Sequence, residues 1–132
     1  MPASRRFTEF LLSTGQLVLA ACLILASGPV RATDDTQMNE EIDFLISAVA
    51  DSSCTFIRNG EEHDAAKASQ HLQMKRKRGK NYYHTTEQFI DRIASRSSWS
   101  GKDYLIRCGD GGAVTANEWF SDKLAEYRTG ED

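Results

Sequence analysis

Cys54 and Cys108 restrict the folds open to this chain more than any other feature of it. A third cysteine, Cys22, lies in an N-terminal segment with the marks of an export signal, so loss of that segment leaves a single pair. In an oxidising compartment the pair is expected to bond. The bridge closes a loop of about 55 residues, worth ~4 kcal/mol of chain entropy less any native strain. For a domain of roughly 100 residues that is a large share of total stability. The spacing is nothing like C-x-x-C, so neither a redox-active motif nor a zinc knuckle is indicated.

The export reading rests on residues 1–32. Arg5 and Arg6 supply a positive start, Leu17 to Ala26 is an apolar run too short for a membrane span of about twenty residues, and Pro29 ends it. Val30-Arg31-Ala32 then places small or modest side chains before Thr33, so cleavage is expected after Ala32. A retained N-terminal anchor is the alternative. Leu19-Ala20-Ala21-Cys22 also fits a bacterial lipoprotein signal, with Cys22 acylated, but the apolar Leu23-Ile24-Leu25 that follows argues against it. The expected product is a periplasmic domain, residues 33–132, with no transmembrane segment. Its 13 basic and 18 acidic side chains leave a net charge of −5, which argues against a nucleic-acid partner.

Along that domain, Met38, Ile42, Leu45, Ile46 and Val49 form one stripe of a helix with Thr36 as its cap, ending near Asp51-Ser52-Ser53. Cys54 to Arg58 is β-branched and aromatic and runs into Asn59-Gly60, a strong hairpin signal. The return strand places His63 opposite Phe56 and Glu62 opposite Ile57. Asp64 caps a helix from Ala65 to about Lys77, inward through Ala65, Ala68, Leu72 and the stem of Lys75, and Gly79 stops it. Thr85-x-x-Gln88 opens a third helix carrying Phe89, Ile90, Ile93 and Ala94. After the serine-rich loop 95–101, in which Trp99 covers the core edge, Tyr104 to Cys108 reads as the second long strand. Thr115-x-x-Glu118 starts a last helix with Trp119, Phe120, Leu124 and Tyr127 inward. The fold expected is α+β: about four helices packed on a small two- or three-stranded, mainly antiparallel sheet, with one disulfide.

Catalytic motifs are absent: no H-E-x-x-H, G-x-S-x-G, S-x-x-K or G-x-G-x-x-G occurs. Gly109-Asp110-Gly111-Gly112 resembles an anion-binding nest but lacks a following lysine, so a plain turn accounts for it. His63 and His71 stand eight apart rather than at the i, i+4 spacing of a helical metal pair, and no metal or cofactor is expected. Lys75-Arg76-Lys77-Arg78, with Lys80, is the one local concentration of charge. Cations at a helix C-terminus offset the macrodipole, so a solvated helix end explains them without a ligand. The functional alternative is an anionic partner such as phospholipid head groups, lipopolysaccharide phosphates or an acidic protein face. Arg58 at the hairpin tip, with His71 and Lys75 on the next helix, could face one cleft and form a ligand-binding site. Ser97, Ser98 and Ser100 supply hydroxyls near it.

The segments Cys-Thr-Phe-Ile-Arg-Asn-Gly (54–60), Ala68-x-x-His71-Leu72-x-x-Lys75, Thr86-Glu87-Gln88-Phe89-Ile90 and Ser100-Gly101-Lys102-x-Tyr104-x-Ile106-x-Cys108 resemble the YfeK-like family of small exported bacterial proteins, a domain of unknown function. The resemblance spans nearly the whole mature chain and implies a single periplasmic domain. It supplies no catalytic residues. The expectation is therefore a non-enzymatic binding or interaction module of the cell envelope, contacting an anionic component or another periplasmic protein. The enzymatic alternative is a small hydrolase or transferase using His71 with a serine of the 95–100 loop. It requires that imidazole and one hydroxyl to lie within hydrogen-bond reach.

Overall fold

The hairpin sets the geometry of the rest. Asn59 and Gly60 both adopt positive φ, +52° and +81°. This is the backbone of a type I′ turn, whose twist matches that of the flanking strands. Strand β1 (Thr55–Arg58) and strand β2 (Glu61–His63) therefore pair with Phe56 opposite His63 and Ile57 opposite Glu62, the expected register. On its other edge β1 pairs antiparallel with β3 (Leu105–Arg107), Thr55 opposite Arg107 and Phe56 opposite Ile106. Cys54 and Cys108 lie one step beyond the Thr55–Arg107 pair at the end of that ladder, and a disulfide joins them. A two-residue strand β4 (Val114–Thr115) completes a four-stranded antiparallel sheet in the order β2-β1-β3-β4.

The computed structural model describes residues 30–130, with side chains from residue 34 onward. Cys22 lies outside the described residues, as do the side chains around the expected cleavage point after Ala32. Helix α1 (Val30–Asp51) begins earlier than its expected cap, and Thr36 sits inside it. Nothing between Val30 and Thr36 breaks a helix, since Pro29 is the nearest residue that cannot continue one. The inward stripe is as expected: Ile42, Leu45, Ile46 and Val49 are buried and Met38 packs against their cluster.

Helix α2 (Ala65–Arg78) starts at Asp64, whose carboxylate accepts from the Lys67 amide, and stops at Gly79. Helix α3 (Thr86–Phe89) starts at Thr85, whose hydroxyl accepts from the Gln88 amide. The reciprocal half of that expected box is displaced by one residue, because the Gln88 side chain accepts from the His84 amide. Beyond Phe89 the helix widens into a single π-helical turn, Ile90–Ala94, with Ile90, Ile93 and Ala94 buried. Ser95 closes the turn by donating its hydroxyl to the Ile90 carbonyl five residues back. Helix α4 (Ala116–Thr129) has the complete capping box between Thr115 and Glu118.

Helices α1, α2 and α4 pack around one cluster, into which the sheet sends Phe56 and Ile106. Two aromatic residues depart from their expected places. Tyr127 is partly exposed and stacks on Phe44, its ring centroid 4.6 Å away. Trp99 is 93% exposed and covers no core, because the serine loop turns its tip outward.

One ionic cluster ties both ends of the described chain together. Glu41, 2% exposed, accepts from Arg128 Nε at 2.8 Å and Nη2 at 2.9 Å, and from the Thr86 hydroxyl. Arg128 reaches Glu87 with its remaining nitrogen.

Candidate functional site

Arg58, His71 and Lys75 line the same groove, a cleft of about 970 Å³ between the hairpin tip, α2 and the serine loop. Each arrives there for a local reason. Arg58 is the last residue before the tight turn, so it stands at the tip of β1. His71 and Lys75 are four apart on α2 and share a face. The loop is tied to the hairpin by Asn59, whose amide donates to the Ser97 hydroxyl at 3.4 Å and accepts from the Ser100 hydroxyl at 2.6 Å. Asn59 thus does more than make its turn.

The groove is cationic on every side. Arg78, Arg92 and Arg96 join Arg58 and Lys75 along its walls, and no carboxylate lines it. Arg96 is paired with Asp91 and Arg92 is held by the Tyr82 carbonyl, whereas Arg58 and Arg78 have no hydrogen-bond or ion-pair partner among the described residues. Tyr82 and Trp99 stand exposed at the rim.

Lys75 is the unusual member. It is only 8% exposed, yet no acid faces it. Its ammonium donates to the Arg96 carbonyl at 2.6 Å and the Tyr104 hydroxyl at 3.2 Å, which leaves one proton for a third acceptor. Burial, with Arg58 nearby, pushes its pKa down to about 8, so it is still a cation at neutral pH. His71 behaves differently. Burial first, then the charges of Arg58 and Lys75, push it down to about 4, so its imidazole is neutral. Its Nε2 lies 3.5 Å from the Tyr104 hydroxyl, whose own pKa burial raises. Tyr104 is therefore the hub between the two α2 side chains.

Below this layer is a small apolar pocket of about 50 Å³, walled by Val49, Phe56, Leu72, Ile106 and Phe120. Arg58, His71, Lys75 and Tyr104 border both the pocket and the groove above it.

The expected basic run does not act as one patch. Lys75 turns inward, Arg76 turns sideways to Asp43 and Asn39 on α1, and only Lys77, Arg78 and Lys80 remain exposed. Of the four loop serines, Ser97 and Ser98 line the groove, but none makes a hydrogen bond to His71. Ser97 instead accepts from the amides of Trp99 and Ser100 and holds the loop in shape. The nucleophile–base contact that the enzymatic alternative needs is not formed. Among the described residues no group of three or more His, Cys, Asp or Glu side chains is placed to hold a metal ion, and no helix is long and apolar enough to cross a membrane.

Tyr104, Arg92 and Arg96 were not singled out by sequence. For Tyr104 a signal existed: strand alternation places it on the same face as the buried Ile106. For the two arginines there was none, because the π-helical turn decides where they point.

Residues 36–128 match the model of a family of unknown function, DUF5329. The chain belongs to that family. Among the relatives of this DUF5329 member is a protein of Salmonella typhimurium (strain LT2) named uncharacterized protein YfeK, 36% identical over 90 residues, which cover 67% of this chain and 75% of that one. No solved structure matches this DUF5329 member.

Proposed function

We propose that the protein is an exported, periplasmic, non-enzymatic binding module that takes an anionic component of the cell envelope into the groove of Arg58, His71 and Lys75. One observation carries this reading. A chain with a net charge of −3 concentrates five cations around one cleft with no carboxylate in its lining, and one of them is a buried lysine lacking an acidic partner. An unpaired buried charge is unfavourable in the free protein, and an entering anion relieves it. Export is supported by the leader-like residues 1–32 and by the disulfide, a bond characteristic of oxidising compartments.

The test measures binding of the purified, oxidised protein to inorganic phosphate and to vesicles of anionic against zwitterionic phospholipid. Arg58→Gln with Arg78→Gln should weaken binding at least tenfold, whereas Arg76→Gln, whose guanidinium is turned to α1, should leave it within twofold. Binding should also fall as salt rises. Undiminished binding by the Arg58/Arg78 variant would overturn the reading. Mass spectrometry of protein from its native host should show Thr33 at the mature N-terminus. A retained Met1 would refute cleavage after Ala32, and an acylated Cys22 would replace a free module by a lipid-anchored one.

A further inference from the structure

We infer that the groove and the pocket beneath it form one site for a short amphiphilic anion, its carboxylate or phosphate head held by Lys75 and Arg58 and a short aliphatic end inserted among Val49, Phe56, Leu72, Ile106 and Phe120. This deepens the proposed function and rests on it. The juxtaposition is the argument. The four residues that border both spaces are two cations, a phenol hydroxyl and a neutral imidazole, all at the mouth of a pocket whose remaining lining is apolar except for His63. A head group at that mouth accepts the spare Lys75 proton and pairs with Arg58, which has no partner of its own. An apolar end attached to it then has one direction in which to avoid water. Inorganic phosphate alone would leave the pocket unused.

The pocket's size limits that end. A cavity of about 150 Å³ accepts a benzene ring, so ~50 Å³ accepts about two carbons. Each methylene transferred from water is worth about fourfold in affinity. The expected signature is a rise followed by a plateau. From formate to acetate to propionate, and likewise from inorganic phosphate to methyl and ethyl phosphate, affinity should climb about fourfold per carbon over the first two carbons and then level off at butyrate and propyl phosphate. The Tyr82 and Trp99 rim lies outside the pocket and does not take part.

The series is measured by calorimetry on the oxidised protein, together with Ala68→Leu. Ala68 is a half-buried position of α2 that lines the pocket, and a larger side chain there fills it. In the variant the gain with chain length should disappear, so that methyl and ethyl phosphate bind it no more tightly than inorganic phosphate does. Equal wild-type affinity along each series would overturn the inference while leaving the proposed function intact. No binding of any anion would overturn both. A gain that continues past two carbons, or that survives in a folded Ala68→Leu protein, would place the aliphatic end elsewhere and refute the assignment. If Ala68→Leu fails to fold, the wild-type series alone decides, through its plateau.

Discussion

Replacing Arg128 with methionine removes the guanidinium that grips Glu41 from two nitrogens and leaves a carboxylate at 2% exposure. The hydrogen bonds from Thr86 and Gln37 remain but carry no counter-charge. Breaking a buried pair from one side costs about 3–5 kcal/mol, because the surviving charge has lost both water and its partner. The second contact of Arg128, to the half-exposed Glu87, adds little. A loss of that size should lower the melting temperature by roughly 15–30 °C. The effect must also depend on pH. In the native protein the Arg128 contact holds the Glu41 carboxyl below its usual 4.5. The native form then binds fewer protons than the unfolded chain, and the stabilisation is present above about pH 4.5 and lost as the pH falls below it. In the variant, burial takes over and lifts the same carboxyl above that value, so acid protonates it in the folded state and relieves the penalty. The gap between the two proteins should therefore be largest near pH 7 and shrink towards pH 4. Urea unfolding of the oxidised protein at several pH values measures it. Glu41→Gln added to Arg128→Met should recover more than half of the loss, since the buried charge has then gone too. A loss below about 1 kcal/mol, or a gap indifferent to pH, would refute the reasoning from the buried ion pair.

Replacing both Cys54 and Cys108 by serine should cost about 2–5 kcal/mol in urea relative to the oxidised wild type without added reductant, and a cost under about 1 kcal/mol would mean that the unfolded chain is already constrained. Lys75 binds fewer protons folded than unfolded, with its pKa at about 8 against 10.5, so its contribution to stability rises between those pH values. Lys75→Met should flatten that rise in the urea midpoint, and an unchanged profile would contradict the burial of its charge. His71, at about 4 against 6.5, has the same sign in its own window: stability falls as the pH drops from about 6.5 to 4, and His71→Phe should remove that part of the fall. Gly79→Ala places a methyl against Ile93 Cδ1 and 3.0 Å from the Lys75 carbonyl, so about 1–3 kcal/mol of overpacking is expected by thermal melting, and an unchanged melting temperature would show that Ile93 gives way freely.

Much of the fold was legible because local chemistry and global packing agree. Asn59-Gly60 specifies the hairpin and hence the register of Phe56 with His63, and Asp64, Thr85 and Thr115 mark three helix starts by hydroxyl or carboxylate caps that the structure retains. What escaped lacks a local signature. Val114-Thr115 is too short to show alternation and gains strand character only by pairing with β3. Ile90 to Ala94 has apolar residues at helical spacing, which does not distinguish α from π. Composition alone reads the charge run 75–78 as one solvated face, and it is the helical spacing that singles out Lys75 as the residue whose stem turns inward. Lys75 does so because α2 has few apolar residues to bury and its long stem substitutes for one. The meeting of Arg58, His71 and Lys75 in one groove was readable from the hairpin and the helical spacing, whereas the arginines opposite depend on tertiary geometry alone.

The widened turn at Ile90–Ala94 has a consequence for descent within the family. It holds one residue more than an α-helical turn requires, which rotates the chain after it by about 100° and delivers the Arg96 carbonyl to Lys75. Asp91 and Arg92 are exposed, so losing either would tighten the turn while sparing the interior, yet it would swing the loop carrying Arg96 and Ser97 away from α2. Loop length at this point, rather than residue identity, is then the variable by which a single-codon insertion or deletion could retarget the protein without a new core.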